Sequence, residues 1–432
     1  MFQTTPLLLF VIFLLIFWRF FLCSKNYRSA FLIFFLIIYL QTGFLSFFHI
    51  ISFLLICYFC IKHAGSKTFF KYLFPWSLIV HVLLFKTVRL DFSLETMGLS
   101  FVSLNVYGYW KDKRHFPQLE EITLIDFMVA STFFPTLLSG PIVKLRTLTE
   151  RFRSISNQPS VHESLSAIYQ ISIGLTMKAL SEYTNFLLMS KPRESLLAGW
   201  TNLIATLTKI YGDFAGYSLI AIGCAALAGV KLEANFNKPF LAVRFSEFWR
   251  RWHISFHDWL NDYIFSQTLY GQYPEKLRKF KFLFAITLTM IFAGLWHGVR
   301  PGYVFWGAYI ALVLVLENKI YKFVNPAEIK IFNRLITFFL VLLSFVFFRS
   351  PSGRTVREDF LTLFDIFNLG HSVDLKFLMI GFSLIFIISL LEHLSFLHIK
   401  SKLKLCTAIA LFLSCFYLLY GFRGGSFVYF KF

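Results

Sequence analysis

Charged side chains are scarce in this sequence. Asp, Glu, Lys and Arg make up only 15% of its 432 residues, whereas a typical soluble domain carries about a quarter. Apolar residues account for 57%, and the mean hydropathy is +0.65. A soluble core of this length cannot hide so much apolar surface, but a lipid bilayer solvates an apolar outer face. The composition therefore excludes a soluble globular protein and predicts an integral membrane protein whose partner is the lipid bilayer.

Acidic residues are scarcer than basic ones, with 23 against 42, and the formal net charge is +19. The basic residues lie in short runs between apolar segments, such as Lys276–Lys281 and Lys400–Lys404. This distribution is typical of cytoplasmic loops that face anionic lipid. Nucleic-acid binding is the weaker interpretation of the charge, and no nucleic-acid partner is expected.

Cysteine is rare, and the common cofactor and nucleotide motifs are missing. The chain has no Walker loop, dinucleotide fingerprint, kinase motif or G-x-S-x-G nucleophile elbow. Its cysteines lie in or beside apolar segments without zinc-type spacing, so no disulfide framework, metal site or tightly bound cofactor is expected. The six are Cys23, Cys57, Cys60, Cys224, Cys406 and Cys415.

Phenylalanine, with 58 residues, and long apolar runs are what the chain has in abundance. A helix needs about 20 mostly apolar residues to cross a bilayer. The pattern predicts an all-α fold, a polytopic membrane bundle of about eleven transmembrane helices with short re-entrant or interfacial helices. No linker separates a second domain, so one domain over residues 1–432 is expected. Candidate spans lie at Pro6–Cys23, Ala30–Thr42, Phe44–Ile61, Tyr72–Phe85, Ile122–Leu138, Ala167–Leu188, Leu203–Val230, Phe282–Leu295, Tyr303–Leu316, Leu335–Phe348, Phe377–Leu391 and Thr407–Tyr420.

Basic residues follow the first apolar run instead of preceding it, at Arg19, Lys25 and Arg28. This order predicts an uncleaved first helix with its N-terminus outside. An odd number of spans, about eleven, then places the C-terminus inside.

Ionisable residues at membrane depth are expensive, so they are candidate functional groups. His297 lies between Gly294 and Gly298 at the end of an apolar run, where an imidazole can accept and return a proton. The alternative is a structural hydrogen bond to a neighbouring carbonyl. His253 and His257 share one helical face, but no Glu adjoins the first and no third ligand is evident, so a zinc site is the weaker interpretation.

The stretch Leu232–Phe265 is too rich in charge and aromatic residues to face lipid as a simple span, so it lies at an interface or a cavity. Its Arg250 and Arg251 suit a phosphate or carboxylate, although contact with interfacial lipid is equally compatible. Asp213 in an earlier apolar stretch can pair with an Arg, orient a His or form a purely structural pair. Two prolines and a glycine in Phe133–Pro141 predict a helix break.

Together these segments resemble the membrane-bound O-acyltransferase (MBOAT) family, and within it the bacterial alginate O-acetyltransferases, peptidoglycan O-acetyltransferases and teichoic-acid D-alanyltransferase. The resemblance runs from about Tyr109 to Glu317 and resumes near the C-terminus. It is carried by Phe133–Lys144 (FFPTLLSGPIVK), Tyr211–Phe240 (YGDFAGYS…NFNKPF), Glu247–Phe265 (EFWRRWHISFHDWLNDYIF), Gly294–Gly298 (GLWHG), Ser344–Ser352 and Phe427–Phe432.

Several positions depart from the family pattern, and a usual Gly-Gly after the DY segment is missing. These departures leave both His253 and His297 in place, so they weaken the choice of subfamily more than the reaction class. The departing residues are Ala215, Leu219, His257 and Asn261.

The resemblance implies acyl transfer, with acetyl favoured, from a cytoplasmic thioester donor to hydroxyls of an extracytoplasmic envelope polysaccharide. The donor is acetyl-CoA or an acyl-carrier protein, and an SGNH-type extracytoplasmic partner commonly completes the transfer. The implied location is the inner or plasma membrane. His297 is implied as the general base, with His253 positioning or polarising the acyl group. The residues assigned to substrate binding are Arg250, Arg251, Trp296, Asp213 and Trp249.

Three alternatives remain open. One is D-alanyl transfer from a carrier protein to teichoic acid. Another, from a different class, is a transporter or flippase, because many helices, a broken-helix site and central charges suit it equally well. A structural scaffold for envelope assembly would not need a buried histidine beside glycines.

Overall fold

The computed structural model describes residues 44–63, 74, 77–81, 98–116, 118, 121–137, 140–155, 159–188, 195–321, 330–349, 353–365, 368–369, 372–396, 403, 407–409 and 411, and every regular element there is a helix. The all-α prediction is therefore confirmed for this part of the chain. The α-helices are α1 Phe44–His63, α2 Leu99–His115, α3 Leu124–Ser131, α4 Phe134–Leu137, α5 Leu145–Arg153, α6 Val161–Leu188, α7 Leu196–Leu227, α8 Phe245–Arg251, α9 Ile254–Leu260, α10 Ser266–Leu269, α11 Lys281–His297, α12 Pro301–Ile320, α13 Lys330–Arg349, α14 Gly353–Leu363 and α15 Ser372–Ser395.

Five helical segments in the described ranges are long and apolar enough to cross a bilayer. They are Leu196–Leu227, Glu275–His297, Pro301–Ile320, Lys330–Arg349 and Leu375–Ser395. The last four leave most of their apolar length unburied among the described residues, as is typical of helices that face lipid. These helices indicate a multi-pass membrane protein. The count of eleven stays a prediction: Pro6–Cys23 and Ala30–Thr42 lie outside the described residues, as do most of Tyr72–Phe85 and Thr407–Tyr420.

The chain divides into two compact units, one comprising Met1–Ile171 with Ile220–Glu233 and the other Ser172–Leu219 with Ala234–Phe432. The prediction of a single domain stays a prediction. In the first unit, Arg153 Nη2 lies 3.0 Å from the buried Asp126 Oδ2, and Arg151 pairs with Glu233. These ion pairs join α5 to the start of α3 and to the segment after α7.

The predicted helix break lies in the first unit. Helix α3 begins at the Thr123 cap, whose hydroxyl accepts from the Asp126 N–H at 3.1 Å, and ends at Ser131. One short turn, α4, carries Pro135, and the chain is then irregular from Gly140 until α5 begins. A break after Thr132 is thereby confirmed, and the span predicted over Ile122–Leu138 is replaced by two short helices.

In the second unit, α11 and α12 form a tightly packed antiparallel pair. A Cβ added at Gly294 would lie 2.1 Å from the Tyr303 carbonyl oxygen, and one at Gly307 would lie 2.2 Å from that of Met290. Only glycine permits this backbone approach. The contact fixes the end of α11, and therefore the position of His297.

The stretch Leu232–Phe265 folds as short helices: a 3-10 turn at Pro239–Leu241, then α8, α9 and a π-helical turn at Asn261–Phe265. None of these helices is long enough to cross a bilayer, which confirms that the stretch is no simple span. Two backbone hydrogen bonds, Asn237 N–H to Arg251 O at 3.0 Å and Ile254 N–H to Asn235 O at 2.8 Å, hold its two halves together.

Candidate active site

His297 is the last residue of α11, and the residue is buried at 9% exposure. Aromatic rings surround it: the centroid distances are 4.8 Å to Trp296, 5.0 Å to Phe348 and 5.4 Å to Trp306. The Gly298 N–H then donates to Leu295 O at 3.1 Å, which ends the helix. The imidazole is therefore held at a helix terminus inside an aromatic wall.

His253 lies between α8 and α9 with its backbone in the left-handed region, at φ 49°. The residue is 4% exposed, and its ring lies 4.5 Å from that of Phe214 and 5.1 Å from that of Phe256, centroid to centroid. The His253 Nδ1 is 3.3 Å from Asn235 Oδ1. Burial lowers the pKa of His253 to about 3, so the ring is neutral at neutral pH.

The two histidines share neighbours. Phe256 contacts the rings of both His253 and His297, with centroids at 5.1 and 6.3 Å, and Trp296 lies 6.3 Å from His253 and 4.8 Å from His297. Residues far apart in sequence are thus brought to one place, which we call the histidine site. Its walls are Phe214, Phe256, Trp296, Trp306 and Phe348.

Trp249 reaches the same wall from α8, with its ring 5.5 Å from that of Trp306. Within the described part of the chain, neither indole N–H has a hydrogen-bond partner, nor does His253 Nε2. Buried polar atoms without a partner are costly and uncommon. Three such atoms around one aromatic wall suit a site that receives a polar ligand.

Arg250 and Arg251 point to different surroundings. Arg251 Nη2 lies 2.6 Å from Glu247 Oε1 on the same helix. Glu247 also accepts a hydrogen bond from the Val243 N–H at 2.7 Å. Burial alone would raise the pKa of Glu247, but the hydrogen bond from Val243 and the charge of Arg251 outweigh it, so the pKa is lowered. Arg250 is exposed and has no ion-pair partner among the described residues. Of the two, Arg250 is the one available to a ligand.

Asp213 pairs with Lys178, and both side chains are largely buried between α6 and α7. The partner is neither the arginine nor the histidine considered from the sequence. This ion pair supports the structural alternative for Asp213, because it joins α6 to α7 within the second unit.

His257 is half-buried, and its Nδ1 lies 3.4 Å from Asp258 Oδ1. No group of three or more His, Cys, Asp or Glu side chains in the described ranges is arranged to hold a metal ion. The pair of His253 and His257 is therefore without a third ligand in this part of the chain.

The profile of the membrane-bound O-acyltransferase family, MBOAT, matches residues 20–352, about three quarters of the chain. The chain belongs to the MBOAT family.

Several curated proteins are similar to this MBOAT chain. The probable alginate O-acetylase AlgI of Pseudomonas syringae pv. tomato is 30% identical over 60% of this chain and 50% of its own length. The teichoic acid D-alanyltransferase of Bacillus subtilis is 26% identical over 59% of this chain and 67% of its own length. The peptidoglycan O-acetyltransferase of Helicobacter pylori is 29% identical over 53% of this chain and 44% of its own length. The chain spans about half the length of the curated relatives it matches.

Two acidic residues of this MBOAT chain position the site without having been predicted from the sequence. Glu317, at the end of α12, accepts from the Phe245 N–H at 2.6 Å and the Ser246 N–H at 3.1 Å, and so caps α8. Glu392 in α15 accepts from the Tyr211 hydroxyl at 2.7 Å and the Lys238 N–H at 3.0 Å. Each is an acidic residue in an apolar helix, and an acidic residue in such a helix is by itself a sequence signal for a functional or positioning role.

Proposed function

We propose that this chain is an O-acyltransferase that moves an acyl group, with acetyl favoured, from a cytoplasmic thioester donor to hydroxyls of an extracytoplasmic envelope polysaccharide. MBOAT membership and relatives named for O-acetyl and D-alanyl transfer support the reaction class. The observation that carries the proposal is the burial of His297 beside His253 in one aromatic enclosure.

In the proposed reaction, His297 takes the proton of the acceptor hydroxyl as its oxygen attacks the thioester carbonyl carbon. The C–S bond then breaks, and the departing sulfur receives that proton, which leaves an ester and a thiol. A positioned general base contributes about 10²–10⁴-fold. The aromatic wall limits competing hydrolysis, because it keeps water from the thioester.

The donor is acetyl-CoA or an acyl-carrier protein, and both carry phosphate on the thiol arm. Arg250 is exposed without an ion-pair partner among the described residues, so it suits such an anionic group. An SGNH-type extracytoplasmic partner is proposed to complete transfer to the polymer, with this chain in the inner or plasma membrane. Trp249 and Trp296 are proposed to contact the acyl group or thiol arm.

D-alanyl transfer to teichoic acid is the second candidate, and the similarity to the Bacillus subtilis D-alanyltransferase supports it. Both candidates use the same histidine chemistry and differ in the donor. Proteoliposomes that contain the protein can be supplied with acetyl-CoA or with a D-alanyl carrier protein. The thioester that is consumed then distinguishes the two candidate functions.

The decisive test replaces His297. We expect His297→Ala and His297→Gln each to lose at least about 10²-fold in polymer O-acylation, because neither side chain can accept the proton. The measurement is polymer acylation in cells that lack the native gene, with the membrane abundance of each variant determined in parallel.

The matched control is His257→Gln, the same exchange at a half-buried histidine outside the histidine site, which should keep its activity. An active His297→Gln variant at normal abundance would exclude the catalytic role. Loss of the variant from the membrane would instead mark the ring as structural.

A further inference from the structure

The orientation of the Asn235 side-chain amide is fixed by its neighbours. Asn235 is 1% exposed, and its Oδ1 lies 3.2 Å from the Ser255 backbone nitrogen and 2.8 Å from the Ser255 hydroxyl. A backbone N–H can only donate, so the amide atom facing it must be the oxygen. The Asn235 Nδ2 donates in turn to Ser218 Oγ at 3.1 Å.

This orientation decides which nitrogen of His253 carries the proton. The same Asn235 Oδ1 lies 3.3 Å from His253 Nδ1, and an acceptor oxygen requires a donor opposite it. His253 Nδ1 is therefore protonated. Since burial keeps the ring neutral, Nε2 holds a bare lone pair.

The lone pair on His253 Nε2 has no donor among the described protein groups. The rings nearest to His253 are Phe214, Phe256 and Trp296. A water or a ligand with a proton to donate would satisfy the atom. A hydroxyl has one, whereas the carbonyl of a thioester has none, so this tautomer does not polarise the acyl group.

We propose that Asn235 is a positioning residue that holds His253 as the Nδ1–H tautomer, so that His253 Nε2 accepts a hydrogen bond from the acceptor hydroxyl. The proposal rests on the proposed acyl transfer and assigns the two histidines separate tasks. His253 orients the hydroxyl, and His297 removes its proton. A weakly basic His253 suits the first task, because it accepts a hydrogen bond without taking the proton.

The direct test is the ¹⁵N spectrum of the full chain in lipid with labelled histidine, at about pH 8, above the usual imidazole pKa. The His253 signals are assigned by their disappearance in His253→Gln. We expect an unprotonated Nε2 and a protonated Nδ1 in the wild type. A protonated Nε2 in the wild type would overturn the proposal, whatever the activity.

Three variants test the dependence on Asn235. Asn235→Leu removes the acceptor and should shift the proton to Nε2 or mix the two tautomers, whereas Asn235→Asp keeps an acceptor oxygen and should keep Nδ1–H. Asn202→Leu is the matched control, since Asn202 is a fully buried asparagine in α7 whose side chain donates to Ala198 O. An unchanged His253 spectrum in Asn235→Leu would contradict the proposal.

The activity of these variants supplies the second measurement. Asn235→Leu should lower the turnover of acyl transfer about 10-fold, the loss expected for one hydrogen bond made to the reacting hydroxyl. The KM for the thioester donor should not change, and Asn235→Asp should restore most of the turnover. A raised donor KM with unchanged turnover would contradict the assignment. If the wild type transfers no acyl group, the proposed function fails, while the spectrum still decides the tautomer.

Discussion

Arg250 and Arg251 are neighbours in sequence, yet their side chains make different contacts. Arg251 is bound to Glu247 one helical turn away, so its charge is already compensated. Arg250 is exposed without such a partner in the described residues. Arg250 and Arg251 stand at i,i+3 and i,i+4 from Glu247, and both spacings allow an ion pair on a helix, so the sequence alone did not show which arginine would pair.

We therefore expect the two Arg→Gln variants to differ. Arg250→Gln should raise the KM for the thioester donor about 10-fold at normal membrane abundance, because a charge-assisted bond to phosphate is lost. Arg251→Gln should chiefly lower the stability of the protein, because Glu247 loses its partner. Donor kinetics in proteoliposomes and melting in detergent measure the two effects. An unchanged donor KM in Arg250→Gln would favour lipid contact for that side chain.

The candidate residues that sequence reasoning identified are those whose type stands out locally. His253 and His297 are ionisable groups beside apolar runs, and the structure places them in one site. Asn235 was not identified, because an asparagine gains its role here only from Ser255 and His253, which follow it by many residues. Such contacts depend on the tertiary fold, which brings distant parts of the chain together, and a local sequence pattern does not show them.

At the scale of helices, the close approach of α11 and α12 is what holds His297 in place. Gly294 and Gly307 each face a backbone carbonyl of the opposing helix, which cannot move aside as a flexible side chain would. Larger side chains at such contacts cost about 1–3 kcal/mol or more through overpacking. The first glycine of GLWHG, Gly294, thus has a packing role beside the histidine.

Gly294→Ala should accordingly lower the melting temperature and reduce acyl transfer together. The added methyl would lie 2.1 Å from the Tyr303 carbonyl oxygen, so α12 must move away from His297. Gly381→Ala in α15 is the matched control, because its nearest neighbour is a side-chain atom of Ile204 at 3.1 Å. The control should retain most of its stability and activity. A Gly294→Ala variant as stable and active as the wild type would show that α11 and α12 can move apart without disturbing His297.

At the scale of the whole molecule, composition and apolar runs were sufficient to predict a helical membrane protein. The break after Thr132 and the short helices of residues 232–265 were also predictable, because prolines, glycines and dense charge cannot continue a lipid-facing helix. Helix ends were less predictable: α7 begins seven residues before Leu203, where its predicted span began. Packing against other helices, which extends a helix past its most apolar stretch, is not visible in a hydropathy pattern.

The charges at the ends of α11, α12 and α13 predict their orientation. Basic residues precede α11 at Lys276–Lys281, end α12 at Lys319 and begin α13 at Lys330, whereas the opposite turn between α11 and α12 carries only Arg300. The positive-inside rule predicts that the first group lies in the cytoplasm. Glu317 caps α8 from that end of α12, so the same rule predicts that α8 begins near the cytoplasmic side. A donor arriving from the cytoplasm would then meet α8 before it reaches His297.

Single cysteines at the two ends of α11 test this orientation. Lys279 and Val299 are both exposed, so Lys279→Cys and Val299→Cys, made in a chain whose six native cysteines are replaced, can react with a membrane-impermeant maleimide. In right-side-out vesicles we expect label at position 299 only, and at position 279 after permeabilisation. Label at both positions from one side would show that α11 does not cross the bilayer. The reverse pattern would place the start of α8 on the outer face, and a cytoplasmic thioester would then have to reach His297 from the opposite end of the site.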